Sequence, residues 1–250
     1  MSAVKASAFD PAALVAQCEK LASARHFRVE RFGEIAGCPL VALTRRTPGP
    51  RPRIYLSTGV HGDEPAPPQA LAQLLENGVF DARANWFLVP MLNPTGFHRG
   101  TRENAAGVDL NRDYKDRRTA EVTAHVRWLE RQPLFDLVLC LHEDWEAGGF
   151  YLYELNPYGR PTLADRILAG ASVHSRIEDA AVIDGRTADA PGIIRPVNDP
   201  LLREDWPEAI YLRAHHARIG YTFETASTQP VAQRITTLAA AVAAAVSALV

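Results

Sequence analysis

The sequence is poor in cysteine: three residues in 250, Cys18, Cys38 and Cys140, with no CxxC pair. That spacing excludes a disulfide-stapled scaffold and a cysteine-built metal site, and it suits thiols kept reduced in a cytoplasm. An excess of either charge is also lacking. The 27 Lys and Arg stand against 29 Asp and Glu, interspersed, for a net charge of -2 and a pI near 6.4. No footprint for nucleic acid or an anionic membrane results, so a small molecule or peptide is the expected partner. The N-terminal "MSAVKASAFDPAALVAQCEK" has no uninterrupted apolar core of export-signal length, and a cytoplasmic location is expected. The most apolar run, "LAAAVAAAVSALV" from Leu238 to Val250, has 13 residues, too few to span a bilayer, and is read as a buried terminal helix. Neither repeats nor a low-complexity linker divide the chain. One domain over residues 1–250 is expected, with a 47% hydrophobic composition ample for its core.

What is present alternates. "DPAALVAQCEKLASAR" reads as a first helix with Asp10 before Pro11 as its start, and "HFRVERFG" with "CPLVALTRR" reads as a hairpin. "RIYLSTGV", "NWFLVPML", "FDLVLCLH" and "GYTFET" have strand character. "PPQALAQLLENG", "RTAEVTAHVRWLERQ", "PTLADRILAGASVHSR" and "EAIYLRAHHARIG" are helical in period. This pattern predicts an α/β fold, a three-layer αβα sandwich on a mixed, mostly parallel twisted sheet, with chemistry at the carboxyl ends of the strands. The long segment Asp184 to Pro200 has little regular pattern and is a candidate substrate-contacting loop, a plain surface excursion being the alternative.

His61 and Glu64 follow the strand that ends near Leu56, and His142 ends the strand "DLVLCLH". Two histidines and a glutamate are one of the standard ligand sets of a catalytic zinc site, which keeps a further position for water. Taken alone, a His-x-x-Glu pair is also explained by a solvated loop with a capping acid, and a histidine at a strand end by an ordinary buried ring. The stretch "NPTGFHRGTRENAAGVDLNRDY" reads as a loop and brings Arg102, Asp109, Asn111 and Arg112 close behind a strand, its arginines with no obvious acidic partners. Arginine suits bidentate recognition of a carboxylate, or a developing oxyanion. Glu224, at the end of an apolar strand, could act as general base. Of the acids in "HEDWE", one is expected to orient a ligand and the others to be solvated. His215 and His216, adjacent on a helix, point apart and are read as surface or core residues. Tyr151 and Tyr153 share one face of "GFYLYEL", a core or edge strand, and are not assigned to the site.

"HGDE", the histidine of "LHED" 78 residues after Glu64, the block "GTRENAAGVDLNRDY" and "TFET" together resemble the zinc carboxypeptidase family, the carboxypeptidase A-like metallopeptidases, in its short bacterial form. That form is related to murein peptide amidases and to aspartoacylase and succinylglutamate desuccinylase. The resemblance implies one zinc ion on His61, Glu64 and His142, with Arg102 stabilising the oxyanion and Glu224 as general base. Asn111 and Arg112 would hold the free carboxylate of the substrate, and Asp109 would accept a hydrogen bond from His61. Two departures stand out. The tyrosine that the family carries on a mobile loop has no counterpart in "LLREDWPEAIYLR", where Tyr211 falls too near Glu224. Asp113 stands in "NRDY" where an asparagine is commoner, and is read as facing water. The implied activity is a metallocarboxypeptidase acting on small peptides. The alternatives are an N-acyl amino acid deacylase and a non-catalytic peptide or amino-acid binding protein on the same fold.

Overall fold

Helix α1 (Pro11–Ala24) starts where an aspartate meets a proline: Asp10 accepts a hydrogen bond from Ala12 N at 2.9 Å, and Pro11 fills a first-turn position that needs no N–H. In this computed structural model, which describes residues 10–196 and 199–250, a hairpin of β1 (Arg28–Ile35) and β2 (Cys38–Arg45) follows. Its two-residue turn puts Ala36 and Gly37 at φ 50° and 79°, the left-handed conformation that a tight, twisted hairpin demands. Then come β3 (Arg53–Ser57), α2 (Ala66–Glu76), β4 (Asn85–Val89), α3 (Pro94–Arg99), α4 (Ala120–Leu129), β5 (Leu137–Asp144), β6 (Tyr151–Leu155) and α5 (Ala164–Ser172). The chain closes with β7 (Val182–Ile183), β8 (Arg186–Thr187), β9 (Ile193–Ile194), α6 (Glu208–His215), β10 (Gly220–Ala226) and α7 (Val231–Leu249).

Eight strands form one sheet in the order β1-β2-β4-β3-β5-β10-β6-β9. Its centre, β4-β3-β5-β10, is parallel throughout, while β1, β2 and β6 run antiparallel to their neighbours on the central side. Strand alternation splits the core into two layers. Ile54 and Leu56 of β3, Leu139 and Leu141 of β5 and Phe223 of β10 face α1, α2, α5 and α7. Tyr55, Val138 and Cys140 point the other way, into a layer with Val126 and Trp128 of α4 and Tyr211 and Leu212 of α6. The expected αβα sandwich on a mixed, mostly parallel sheet is therefore the fold. Cys18, Cys38 and Cys140 are free and buried, as the spacing requires.

The structure corrects three readings of the chain. The stretch after Asn93 is not a plain loop. It holds α3, capped by the Asn93 side chain on Gly96 N at 2.9 Å and ended by Gly100 at φ 65°, and a 3-10 turn over Leu110–Arg112. The stretch has a loop's composition, but an N-cap asparagine followed by proline also opens a helix. The segment from Asp184 to Pro200 is not patternless either, since it carries β8 and β9, and residues 197 and 198 lie outside the described residues. So do residues 1–9 of the N-terminal stretch read for an export signal. The terminal helix begins at Val231, seven residues before its Ala-rich run, so its 19 residues do reach membrane-spanning length. It packs along α2 and α5, and 44% of its most apolar window is buried.

Asp113 does not face water. It is 0% exposed and accepts hydrogen bonds from Arg118 N (2.9 Å), Thr119 N (2.8 Å), Thr119 Oγ1 (2.7 Å) and Arg118 Nε (3.3 Å). The chain folds back after Asp113 and aims the donors ahead of α4 at one carboxylate, an arrangement invisible in a single residue's polarity. Burial pushes this carboxyl up, but the hydrogen bonds to its charged form outweigh burial and hold it below its ordinary value. A depressed carboxyl contributes stability that is complete above the ordinary carboxylate pKa and is lost as pH falls through the folded value. Asp113→Asn should lower unfolding free energy by about 1–3 kcal/mol at neutral pH through donors left unpaired. The gap to wild type, read from urea midpoints, should narrow below about pH 4. An unchanged gap between neutral and acid pH would refute the depressed carboxyl.

Candidate active site

β3 and β5 are parallel neighbours with Ser57 opposite Cys140, so the loop after β3 and the end of β5 open at the same edge of the sheet. The loop carries His61 and Glu64; β5 carries His142. Gly62 lets that loop close down on α3, because a Cβ there would lie 1.9 Å from the Gly96 carbonyl carbon and 2.2 Å from Phe97 N. Only glycine permits that approach. The result is a buried cluster in which one donor atom from each of His61, Glu64 and His142 lies within 4.8 Å of the others. His61 Nδ1 is 2.6 Å from Glu64 Oε1 and His142 Nδ1 is 3.1 Å from Glu64 Oε2.

The chemistry of this set fits a divalent cation. Three buried N and O donors converge, and the far nitrogen of His61, Nε2, is engaged 3.2 Å from Asp109 Oδ1, which fixes the ring and leaves Nδ1 for a ligand position. Electrostatics point the same way. Burial would raise the Glu64 carboxyl, but His61 and His142 hold it well below the ordinary range. Burial would lower the two imidazoles, but Glu64, joined for His61 by Asp109, pulls both up. A site built to stabilise positive charge beside an ionised carboxylate is the site a cation needs.

Asp109 does three things at once. Besides meeting His61, its Oδ2 accepts from Arg102 Nε at 2.9 Å and its Oδ1 accepts from Asn111 N at 2.8 Å. Arg112 lies 3.5 Å from Asp205. Both arginines therefore have acidic partners, contrary to the sequence expectation: Asp109 comes from the same stretch as Arg102, while Asp205 reaches Arg112 from a turn that only the fold brings near. Asn111 Oδ1 accepts from Glu208 N at 2.9 Å, which directs its amide nitrogen elsewhere. Glu224 of β10 stands opposite His142 of β5 and opposite Tyr151 of β6, and it accepts no hydrogen bond from the described residues. Burial first, then the carboxylates Glu64, Asp144 and Asp184, push its carboxyl up against the pull of His142.

All eight residues singled out in the sequence, His61, Glu64, Arg102, Asp109, Asn111, Arg112, His142 and Glu224, line one cavity of about 720 Å³. The segment from Asp184 to Pro200 lines it too, through Asp184, Arg186, Thr187, Ile194, Arg195 and Pro196. Tyr151 and Tyr153, left out of the site on sequence grounds, form a wall of it. Tyr151 donates to Asp144 at 2.9 Å and Tyr153 donates to Asp184. Their shared face was legible from alternation, but which face met the cavity was not. Tyr211, on α6, packs away from the cavity against Tyr114 and His215. His216 is buried and His215 stacks on Tyr211, both outside the site. None of the "HEDWE" acids hydrogen-bonds a proposed ligand: Glu143 is buried against Ala66 N and Arg234, and Asp144 takes Tyr151. The sequence could not show Arg234, 91 residues away, waiting to pair with Glu143.

The succinylglutamate desuccinylase/aspartoacylase catalytic domain matches this chain over residues 50–250. The chain belongs to that family. Its fold resembles that of a metallopeptidase candidate from Shewanella amazonensis, 25% identical with a TM-score of 0.81 over 94% of this chain and 92% of that one. A second such candidate, from Shewanella denitrificans, is 22% identical with a TM-score of 0.81 over 95% and 89% of the two chains. A metallo-carboxypeptidase from Pseudomonas aeruginosa, solved in complex with (2-guanidinoethylmercapto)succinic acid, has 20% identity and a TM-score of 0.66 over 93% of this chain and 67% of its own. No curated protein matches the chain. Family membership bears out the zinc carboxypeptidase-like resemblance read from the motifs and makes the protein a metallohydrolase of this superfamily.

Asp109 offers a direct test of the family member's ligand cluster. Asp109→Asn keeps the shape but replaces the oxygens' charge, and should weaken zinc binding by about 10–100-fold, measured by competition with a chromophoric chelator, while the fold by circular dichroism stays unchanged. Undiminished affinity would remove Asp109 from the orienting role.

Proposed function

We propose that the protein is a zinc-dependent hydrolase of the carboxypeptidase type that cuts an amide bond next to a free carboxylate. The observation that carries this reading is Glu224: a carboxyl with no hydrogen-bond partner among the described residues, on the strand beside His142, in the cavity that also holds the His61–Glu64–His142 cluster. Glu224 is partly exposed to that cavity, so its carboxyl faces the space where a substrate and the attacking water would sit, with His142 beside it.

His61, Glu64 and His142 would hold the ion, which when bound supplies a Lewis acid that polarises the scissile carbonyl and makes a water nucleophilic at neutral pH. Glu224 takes the proton of the attacking water and returns it to the leaving amine nitrogen. Arg102, its charge steadied by Asp109, faces the oxyanion as it develops. Asn111 accepts from Glu208 N through its oxygen, its amide nitrogen has no acceptor among the described residues, and with Arg112 it binds the substrate carboxylate. Arg112 is held by Asp205 at the cavity rim, so the clamp stays near one geometry before substrate arrives.

A second reading, an N-acyl amino acid deacylase, is favoured by the family match over residues 50–250. Both reactions cut an amide beside a carboxylate, with the same base and the same clamp, and differ in which product the cavity wall recognises. A binding module on the same fold has no use for a carboxylate placed as a general base beside the metal ligands.

Zinc-loaded protein should release a C-terminal amino acid from peptides with free C-termini, lose that activity with chelator, and leave amidated controls intact. Release confined to N-acyl amino acids would establish the deacylase, and silence across both groups and murein-type peptides would overturn catalysis. Within the active group, Glu224→Gln should lower kcat by roughly 100-fold or more while zinc content is retained. Arg112→Ala should raise KM for carboxylate-bearing substrates, and an unchanged KM would remove it from the clamp.

A further inference from the structure

Beneath the cavity lies a buried polar chain that the mechanism does not use. Glu208, the first residue of α6, is 1% exposed and forms no ion pair with a lysine or arginine among the described residues. One of its oxygens accepts from Tyr55 Oη at 2.6 Å and the other from Ser57 Oγ at 3.0 Å. Tyr55 and Ser57 are two apart on β3, so they present their hydroxyls on the same face of the strand that leads into the His61 loop. Tyr55 Oη also lies 3.0 Å from His125 Nε2, and His125 Nδ1 lies 2.9 Å from Tyr114 Oη. One proton arrangement satisfies every atom of an ionised chain. Tyr55 spends its only O–H on Glu208, so Nε2 of a neutral His125 donates to Tyr55, and Nδ1 accepts from Tyr114. Burial lowers His125 to about 3, consistent with that neutral ring.

The backbone of the same residue reaches the site. Glu208 N donates to Asn111 Oδ1 at 2.9 Å, and Asp205, three residues earlier, lies 3.5 Å from Arg112. Both members of the proposed carboxylate clamp thus lean on the start of α6, and α6 is moored to β3 through the Glu208 side chain. Pro207, ahead of the helix, supplies no side-chain cap, so nothing in the helix's own first turn replaces that mooring.

We infer that Glu208 is a positioning residue for substrate binding: its carboxyl docks α6 on Tyr55 and Ser57, and so sets where Asn111 presents its amide nitrogen to the substrate carboxylate. The inference rests on the clamp proposed above. The donor to Asn111 is a backbone N–H that survives any side-chain substitution here, so a variant acts only by letting the helix start move.

The test is a cycle of Glu208→Ala, Asn111→Ala and the double variant, assayed with the fastest substrate of the panel above, each zinc-loaded and checked by thermal unfolding. Glu208→Ala should raise KM about tenfold with kcat within about threefold, the size of coupling expected for residues in contact. It should add nothing to KM once Asn111 is alanine. Glu208→Gln, which keeps an acceptor for Tyr55 and a donor for Ser57 Oγ, should restore most of the loss. Where Glu208→Ala does not fold, Tyr55→Phe and Ser57→Ala carry the same cycle. A KM unchanged by a folded variant, an effect that persists in the Asn111→Ala background, or failure of the glutamine to rescue would each overturn the inference while leaving the hydrolase reading intact. An inactive wild type would overturn that reading, and this inference with it.

Discussion

Two imidazoles with ring centres 5.0 Å apart in a protein interior are tolerable only because one carboxylate lies between them. Glu64 is that carboxylate, and the architecture around it follows from keeping it there. It must be ionised in a place where burial opposes ionisation, so both histidines must face it. They can do so because β3 and β5 are adjacent and parallel and end together, which puts a loop residue and a strand residue at one point. Gly62 lets the loop press against Gly96 and Phe97 of α3 with backbone nearly touching backbone. Remove any of these and a charge is left buried without its counterpart.

Around that centre, acids hold bases in place in successive rings. Asp109 fixes His61 and Arg102 together, Asp205 holds Arg112, Glu143 joins the end of β5 to α7 through Arg234, and Glu208 moors α6. Most of these partners are themselves buried or tied to backbone, so little conformational entropy remains to be lost when a substrate binds. Glu224 is the exception. Among the described residues its carboxyl takes no hydrogen bond, and burial raises its pKa, as suits the general-base role proposed for it.

The same frame can serve a peptidase or a deacylase because the reacting atoms of both are alike: an amide carbonyl, a water, a nearby carboxylate. What differs is the wall facing them. Here that wall is built from Tyr151, Tyr153 and the β7–β8 hairpin with Asp184 at its turn, where Asp184 and Gly185 both take positive φ, 47° and 66°. These elements lie outside the motifs that carry the chemistry, which is why family membership leaves substrate choice to the bond that is cut in an assay.

Sequence alone determined the parts whose physics is local. Strand and helix periods, the Asp10–Pro11 start of α1, the hairpin of β1 and β2, and the ligand-type residues at strand ends were readable because each depends on neighbours within a few positions. His61, Glu64, His142 and Glu224 stood out as candidates only through the family resemblance, since each taken alone has an ordinary explanation, and the fold brings all four to one cavity. Only the tertiary structure decided which distant groups meet. Asp113, read as solvated, is buried under donors from Arg118 and Thr119. Arg102 and Arg112 find acids across turns, Tyr151 and Tyr153 turn into the cavity, and Glu208 and His125, two unremarked residues of helical segments, form the floor beneath it. Polarity is a property of a residue, but a partner is a property of the fold, and in a buried site the partner sets the charge.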